Sequence, residues 1–246
     1  MADEERALER GGGGGGEQGS LVTYAVLTGL TPLIPVPVVD DVVKGYFRRR
    51  LVRALAAARG RRLAEEEVAA LADERGGGCL SGCVVQAVVY PLKKIFRKIF
   101  YFLEWKRAVD LTSQTYHFGY LVGCALDDEG GGSLLDAHGA ARVGAAVEAV
   151  CREAPIKPVE GVVGATFRQS RKVLGAAAGL LGQSLRRLTG RARAEEVAEA
   201  IAEVEPREAR EVEPVVTRLR TGLASVPAEH FQDLRARLEE KLKSGG

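Results

Sequence analysis

The chain has 246 residues, 46% of them apolar and 28% charged, with a formal net charge of +2. Such a length can bury a real core, and such a balance is that of a folded globular protein rather than an extended polyelectrolyte. The charge is nevertheless segregated: Lys44–Arg62 holds eight basic residues and no acid, whereas Glu195–Glu213 holds eight glutamates against two arginines.

Residues 1–19 begin with an acidic segment and run into six consecutive glycines, which predicts a disordered leader with nothing to bury and no basic-then-apolar secretory signal. A first helix is predicted over Leu21–Leu30, and Pro32, Pro35 and Pro37 then force the chain out of it. Asp40 or Asp41 supplies a carboxylate that caps the next helix and meets its dipole favourably; Gly60 supplies the stop. On this helix Val39, Val43, Phe47, Leu51 and Leu55 recur at helical spacing and form the buried face, with Arg48, Arg49 and Arg53 pointing elsewhere. Arg50 falls on the apolar side, where a guanidinium must reach water or find an acid.

Glu65–Asp73 reads as a short charged helix, and Cys79–Tyr90 as a buried one ended by Pro91. A long helix follows from Leu92 to about Leu126. Its start sets Leu92, Phe96, Ile99 and Leu103 on one face, flanked by Ile95 and Phe102. Lys93, Lys94, Arg97 and Lys98 lie opposite, and Tyr101 and Trp105 continue the line of Lys94 and Lys98. Cations interleaved with amphipathic rings suit the headgroup layer of an anionic membrane. Asp110 continues the apolar line, so an inward Arg50–Asp110 ion pair is predicted, with Lys106 as the competing partner for Asp110.

Further helices are predicted over Leu134–Cys151 and in the Gly- and Ala-rich stretch Gly161–Leu188. Residues 194–243 read as charged helix broken at Pro206, Pro214 and Pro227. No segment alternates with period two, so the fold class is all-α: a multi-helix bundle over residues 20–190, preceded by the leader and followed by a charged helical arm over 191–246.

The chemistry-bearing motifs are few. Cys79 and Cys83 are spaced by four, not as in structural zinc sites, and no His-x3-His accompanies them, so no metal site is assigned; with Cys124 and Cys151 they fit a reducing compartment. No phosphate-gripping glycine loop, H-E-x-x-H or G-x-S-x-G occurs, and no cofactor or catalytic residue is assigned. His117 and His138 read as hydrogen-bonded packing residues. No nucleic-acid motif is present.

Pro35-Val36-Pro37, Asp40-Asp41, the basic helix closing at Arg59-Gly60, Leu63 and Glu65-Glu66-Glu67-Val68 together resemble a bacterial helical domain of unknown function that often follows Era-like GTPase domains in membrane proteins. Thr115–Leu126, with Gly119, is similar to the small-residue helix of that domain's second half, and to the helical, membrane-associated EcsC-like proteins. The resemblance covers roughly residues 24–126, about two fifths of the chain. It implies a helical, membrane-associated protein; this chain carries no GTPase domain, so nucleotide control is not implied.

The expectation is therefore a cytoplasmic bacterial protein, peripheral on the inner membrane, acting as an adaptor or scaffold. Its partner is an anionic membrane surface or an acidic protein, with self-association through the C-terminal arm. Two alternatives stand beside it: a soluble interaction module whose basic helices meet an acidic protein or its own segment 195–213, and an enzyme or small-ligand binder with a helical pocket around Asp110, His117 and Arg50.

Overall fold

A computed structural model describes residues 16–34, 40–73, 97–127, 136–186 and 193–244, with side chains of the long helix from 102 onward. The predicted helix over Cys79–Tyr90, the pair Cys79 and Cys83, Val39, Lys93 and Lys94 lie outside the described residues, as do the side chains of Arg97, Lys98 and Tyr101. Nine α-helices and no strand occur among the described residues: α1 (Gly16–Gly29), α2 (Asp40–Ala58), α3 (Glu65–Ala72), α4 (Arg97–Asp127), α5 (Ala137–Glu153), α6 (Lys157–Gln169), α7 (Arg171–Leu185), α8 (Ala194–Leu223) and α9 (Ala228–Ser244). A 3-10 turn, Thr31–Leu33, follows α1 where Pro32 enters.

Helix α1 is the hub. Leu21, Val22, Ala25, Val26 and Leu27 are buried, and the helix packs against α2, α4 and α8. Close approach is required on the α4 side, because a Cβ at Gly29 would overlap the Thr112 hydroxyl. Likewise a Cβ at Gly119 would run into Leu21 and Leu51. On one side of this hub α3, α5 and α9 pack together; on the other, α8 covers α6 and α7. Helix α1 starts inside the predicted leader, at Gly16, because Glu17 in its first turn bonds the Arg59 guanidinium at 2.7 Å.

Helix α2 follows the sequence reading closely. Asp40 and Asp41 both sit in its first turn, favourably placed in the helix dipole, and Gly60 adopts φ 66°, the left-handed conformation that ends a helix. Val43, Phe47, Leu51 and Leu55 are fully buried, each worth about 1.5–3 kcal/mol on transfer from water. Asp136 caps α5 by accepting the Gly139 amide at 2.7 Å.

Helices α6 and α7, which meet at Ser170, run through the predicted Gly- and Ala-rich helical stretch. One predicted feature is corrected: Pro206 and Pro214 lie inside α8, an unbroken helix of 30 residues. Both prolines are on its exposed side, where the carbonyls they leave unbonded face water, while Val197, Ile201, Val212, Val215, Leu219 and Leu223 form a continuous buried stripe. That stripe outweighs the local cost. The region read as a charged helical C-terminal arm is helical and lies against the bundle: α8 packs on α1, α2, α6 and α7, and α9 buries Leu234 and Leu238 against α4 and α5.

Candidate functional site

The buried charge on α2 is neutralised, but not by the predicted acid. Arg50 bonds Glu205 of α8, with Nε and Nη2 both 3.1 Å from Oε1. Tyr24 of α1 donates its hydroxyl to the same oxygen at 2.9 Å, and Tyr46 of α2 donates to Oε2 at 2.6 Å. One carboxylate from the acidic segment therefore gathers three helices. Burial, then the neighbouring carboxylate, pushes both phenols well above their ordinary range, so they remain donors. Burial opposes the charge on Arg50, yet its pKa is raised overall, with the Glu205 carboxylate the negative partner beside it.

Asp110 pairs instead with Lys106, one turn earlier on α4, at 3.2 Å. The Arg50–Asp110 prediction is therefore wrong in its partner. Residues 205 and 208 were hidden because a helix read as broken at Pro206 shows no stripe for a glutamate to interrupt. Read as one helix, Val197, Ile201, Glu205, Glu208 and Val212 share a face, and two acids on an apolar face are a signal.

Glu208 is fully buried, and its carboxyl oxygens make no well-formed hydrogen bond, the Leu181 backbone offering only a weak one. Burial pushes its pKa up to about 9, aided by the charge of Glu205 and offset only in part by the Leu181 backbone, so it is a neutral acid at pH 7.

The remaining α2 arginines do not form an open cationic face. Arg49 makes a two-pronged bond to Asp73 at 3.0 and 2.8 Å, and Arg53 pairs with Glu65. Arg59 clamps Asp127 at 2.6 Å as well as Glu17. Arg48 is buried, its guanidinium 4.0 Å above the Phe118 ring. The expectation that Arg48, Arg49 and Arg53 are free for anions is corrected accordingly: Asp73 and Glu65 hold Arg49 and Arg53 in ion pairs at the surface, and Arg48 is buried over an aromatic ring of α4.

Trp105 is corrected too. It is only 8% exposed, packs edge-on against Phe167 with ring centroids 6.2 Å apart, and has the Arg171 guanidinium 5.7 Å over its ring. The phase of α4 is set by Trp105, Ala108, Thr112 and Tyr116, which are buried at steps of three and four. Ala108 and Thr112 are small enough for α1 to approach, a property that hydropathy does not reveal. The opposite side is what faces out: Phe102 is 68% and Leu103 45% exposed, with Lys106 and Arg107 also exposed.

The predicted pocket around Asp110, His117 and Arg50 does not assemble, because each has a separate partner. His117 is 1% exposed; its Nδ1 lies 2.7 Å from the Ser113 carbonyl and its Nε2 2.8 Å from Nε2 of His230 on α9. Burial depresses His117 to about 4 and His230 below its ordinary value. An open groove of about 610 Å³ lies elsewhere, between α6 and α8, lined by Thr166, Gln169, Thr217 and Arg218 among others. Among the described residues no cluster of three or more His, Cys, Asp or Glu could hold a metal, and no helix is long and apolar enough to cross a membrane. Comparison with protein-family models, characterised proteins and solved structures gives no match.

Proposed function

We propose that the protein is a non-enzymatic helical scaffold that docks peripherally on an anionic membrane surface through the first turns of α4. The observation that carries this reading is the exposure of Phe102 and Leu103, the large apolar side chains left in water among the described residues. Lys106 and Arg107 are exposed one turn later, and the same helix opens with Arg97 and Lys98 in sequence. An apolar pair flanked by cations inserts into the headgroup layer while the cations meet lipid phosphates, at about 1 kcal/mol per Lys or Arg near the surface. Relative to the sequence expectation, the docking surface shrinks to one helix end, since the α2 arginines have acids of their own. Kinship with the helical domain that accompanies Era-like GTPase domains, and a place on the inner face of a bacterial membrane, belong to the same proposal.

The internal pairing of α2 with acids, Glu205 included, favours the second reading, a soluble interaction module whose exposed α4 end meets an acidic protein. Flotation with vesicles separates them. Vesicles containing phosphatidylglycerol carry the protein upward at low salt under the membrane reading, and pure phosphatidylcholine vesicles carry far less. Absence of binding to both leaves the soluble module.

A further inference from the structure

The joint between α4 and α9 turns on two histidine rings 113 residues apart in sequence. The Ser113 carbonyl can only accept, so His117 Nδ1 carries its hydrogen and donates it there. His117 Nε2 is then a bare lone pair, and His230 must be the tautomer that places a hydrogen on Nε2 and leaves Nδ1 bare. Tyr116 and Phe231 close the site, and Tyr120 donates to the Phe231 carbonyl at 3.2 Å. From this arrangement we infer that the His117–His230 contact is an acid-operated latch, which holds α9 on α4 while the rings share one hydrogen and releases it when both are charged.

The two protons have unlike effects. The first goes to the free Nδ1 of half-buried His230, leaving its Nε2–H still donating to His117. Asp233, one turn along α9, favours that charge, whereas the first turn of a helix disfavours it. The second must enter on His117 Nε2, and two N–H groups of like-charged rings then face each other across 2.8 Å. No carboxylate among the groups acting on His117 relieves this: its influences are burial, Ser113 and His230. Tyr116 and Tyr120 of α4, both raised above their ordinary value, are neutral in this range, Arg235 of α9 adds positive charge beside Tyr120, and the Glu153–Lys241 pair fastens α5 to the far end of α9.

His117 is depressed when folded, so its contribution to stability is complete above its ordinary 6.5 and is lost as pH falls towards about 4. The latch is independent of membrane docking. It is tested on the full chain by hydrogen exchange at about pH 7.5 and about pH 4, corrected for intrinsic rates. The latch predicts that residues 228–244 lose about tenfold or more of their protection in acid while α1 and α8 keep theirs. His230→Gln abolishes this selective loss, since a flipped amide accepts from protonated His117. Unchanged protection in α9, simultaneous loss in α1, or an equal acid loss in His230→Gln overturns the latch. Ring titration of the three histidines by NMR in the unaltered chain serves if that variant does not fold: release must accompany the second proton of the pair, and release with the first also overturns it.

Discussion

Arg50 and Glu205 stand 155 residues apart in sequence and share one buried ion pair, which fastens the basic helix α2 to the acidic segment of α8. Two unlike charge blocks along the chain thus become one internal contact. Removing both charges from water is costly, and the contact persists because Tyr24 and Tyr46 occupy the lone pairs that Arg50 leaves.

Breaking the pair from one side is therefore expected to cost more than removing it whole. Glu205→Ala or Arg50→Ala leaves a buried charge alone and lowers unfolding free energy by about 3–5 kcal/mol, measured by urea titration. The double variant Arg50→Met/Glu205→Leu recovers only part of that loss, because the Tyr24 and Tyr46 hydroxyls lose their acceptor. Asp110→Ala changes stability by only about 0.2–0.5 kcal/mol, as an i,i+4 partner of Lys106 should.

The contrast shows what was legible. On α2 the start at Asp40, the stop at Gly60 and the buried line Val43, Phe47, Leu51, Leu55 all follow from local chemistry, which the sequence states directly. So does the oddity of Arg50 on that line. Its partner was not legible, because an acid on the apolar face of α8 becomes visible only once Pro206 and Pro214 are accepted inside a helix, and tertiary burial decides that. Helix α4 was misphased for a related reason. Ala108 and Thr112 mark the buried side by being small beside Gly29, whereas the greasier Phe102 and Leu103 face out.

Gly29→Ala tests that close crossing. The added methyl meets the Thr112 hydroxyl and the Ala108 carbonyl, and overpacking of this kind costs about 1–3 kcal/mol. Gly45→Ala on α2 is the control: its Cβ meets nothing within 4 Å, and the substitution stabilises by about 0.5–1 kcal/mol. Thermal denaturation of the two variants should move in opposite directions.

Glu208 predicts a pH dependence of the opposite sense to that of His117. Its folded pKa is raised to about 9, so its contribution is fully present below the ordinary 4.5 and is lost as pH rises through about 9. Glu208→Gln should flatten the decline of stability across that window. Glu208→Met, which removes a poorly partnered buried polar group, should stabilise by about 1–3 kcal/mol at pH 8 in urea titrations.

The proposed docking rests on the exposed end of α4 rather than on α2. Vesicle flotation of paired variants tests it most directly, with phosphatidylglycerol-containing vesicles at low salt. Phe102→Ser/Leu103→Ser should lose at least about tenfold in vesicle affinity, while Arg49→Ala/Arg53→Ala stays within about twofold of the parent. Full binding by the serine variant, or loss of binding in the arginine variant alone, would contradict the assignment of the docking surface.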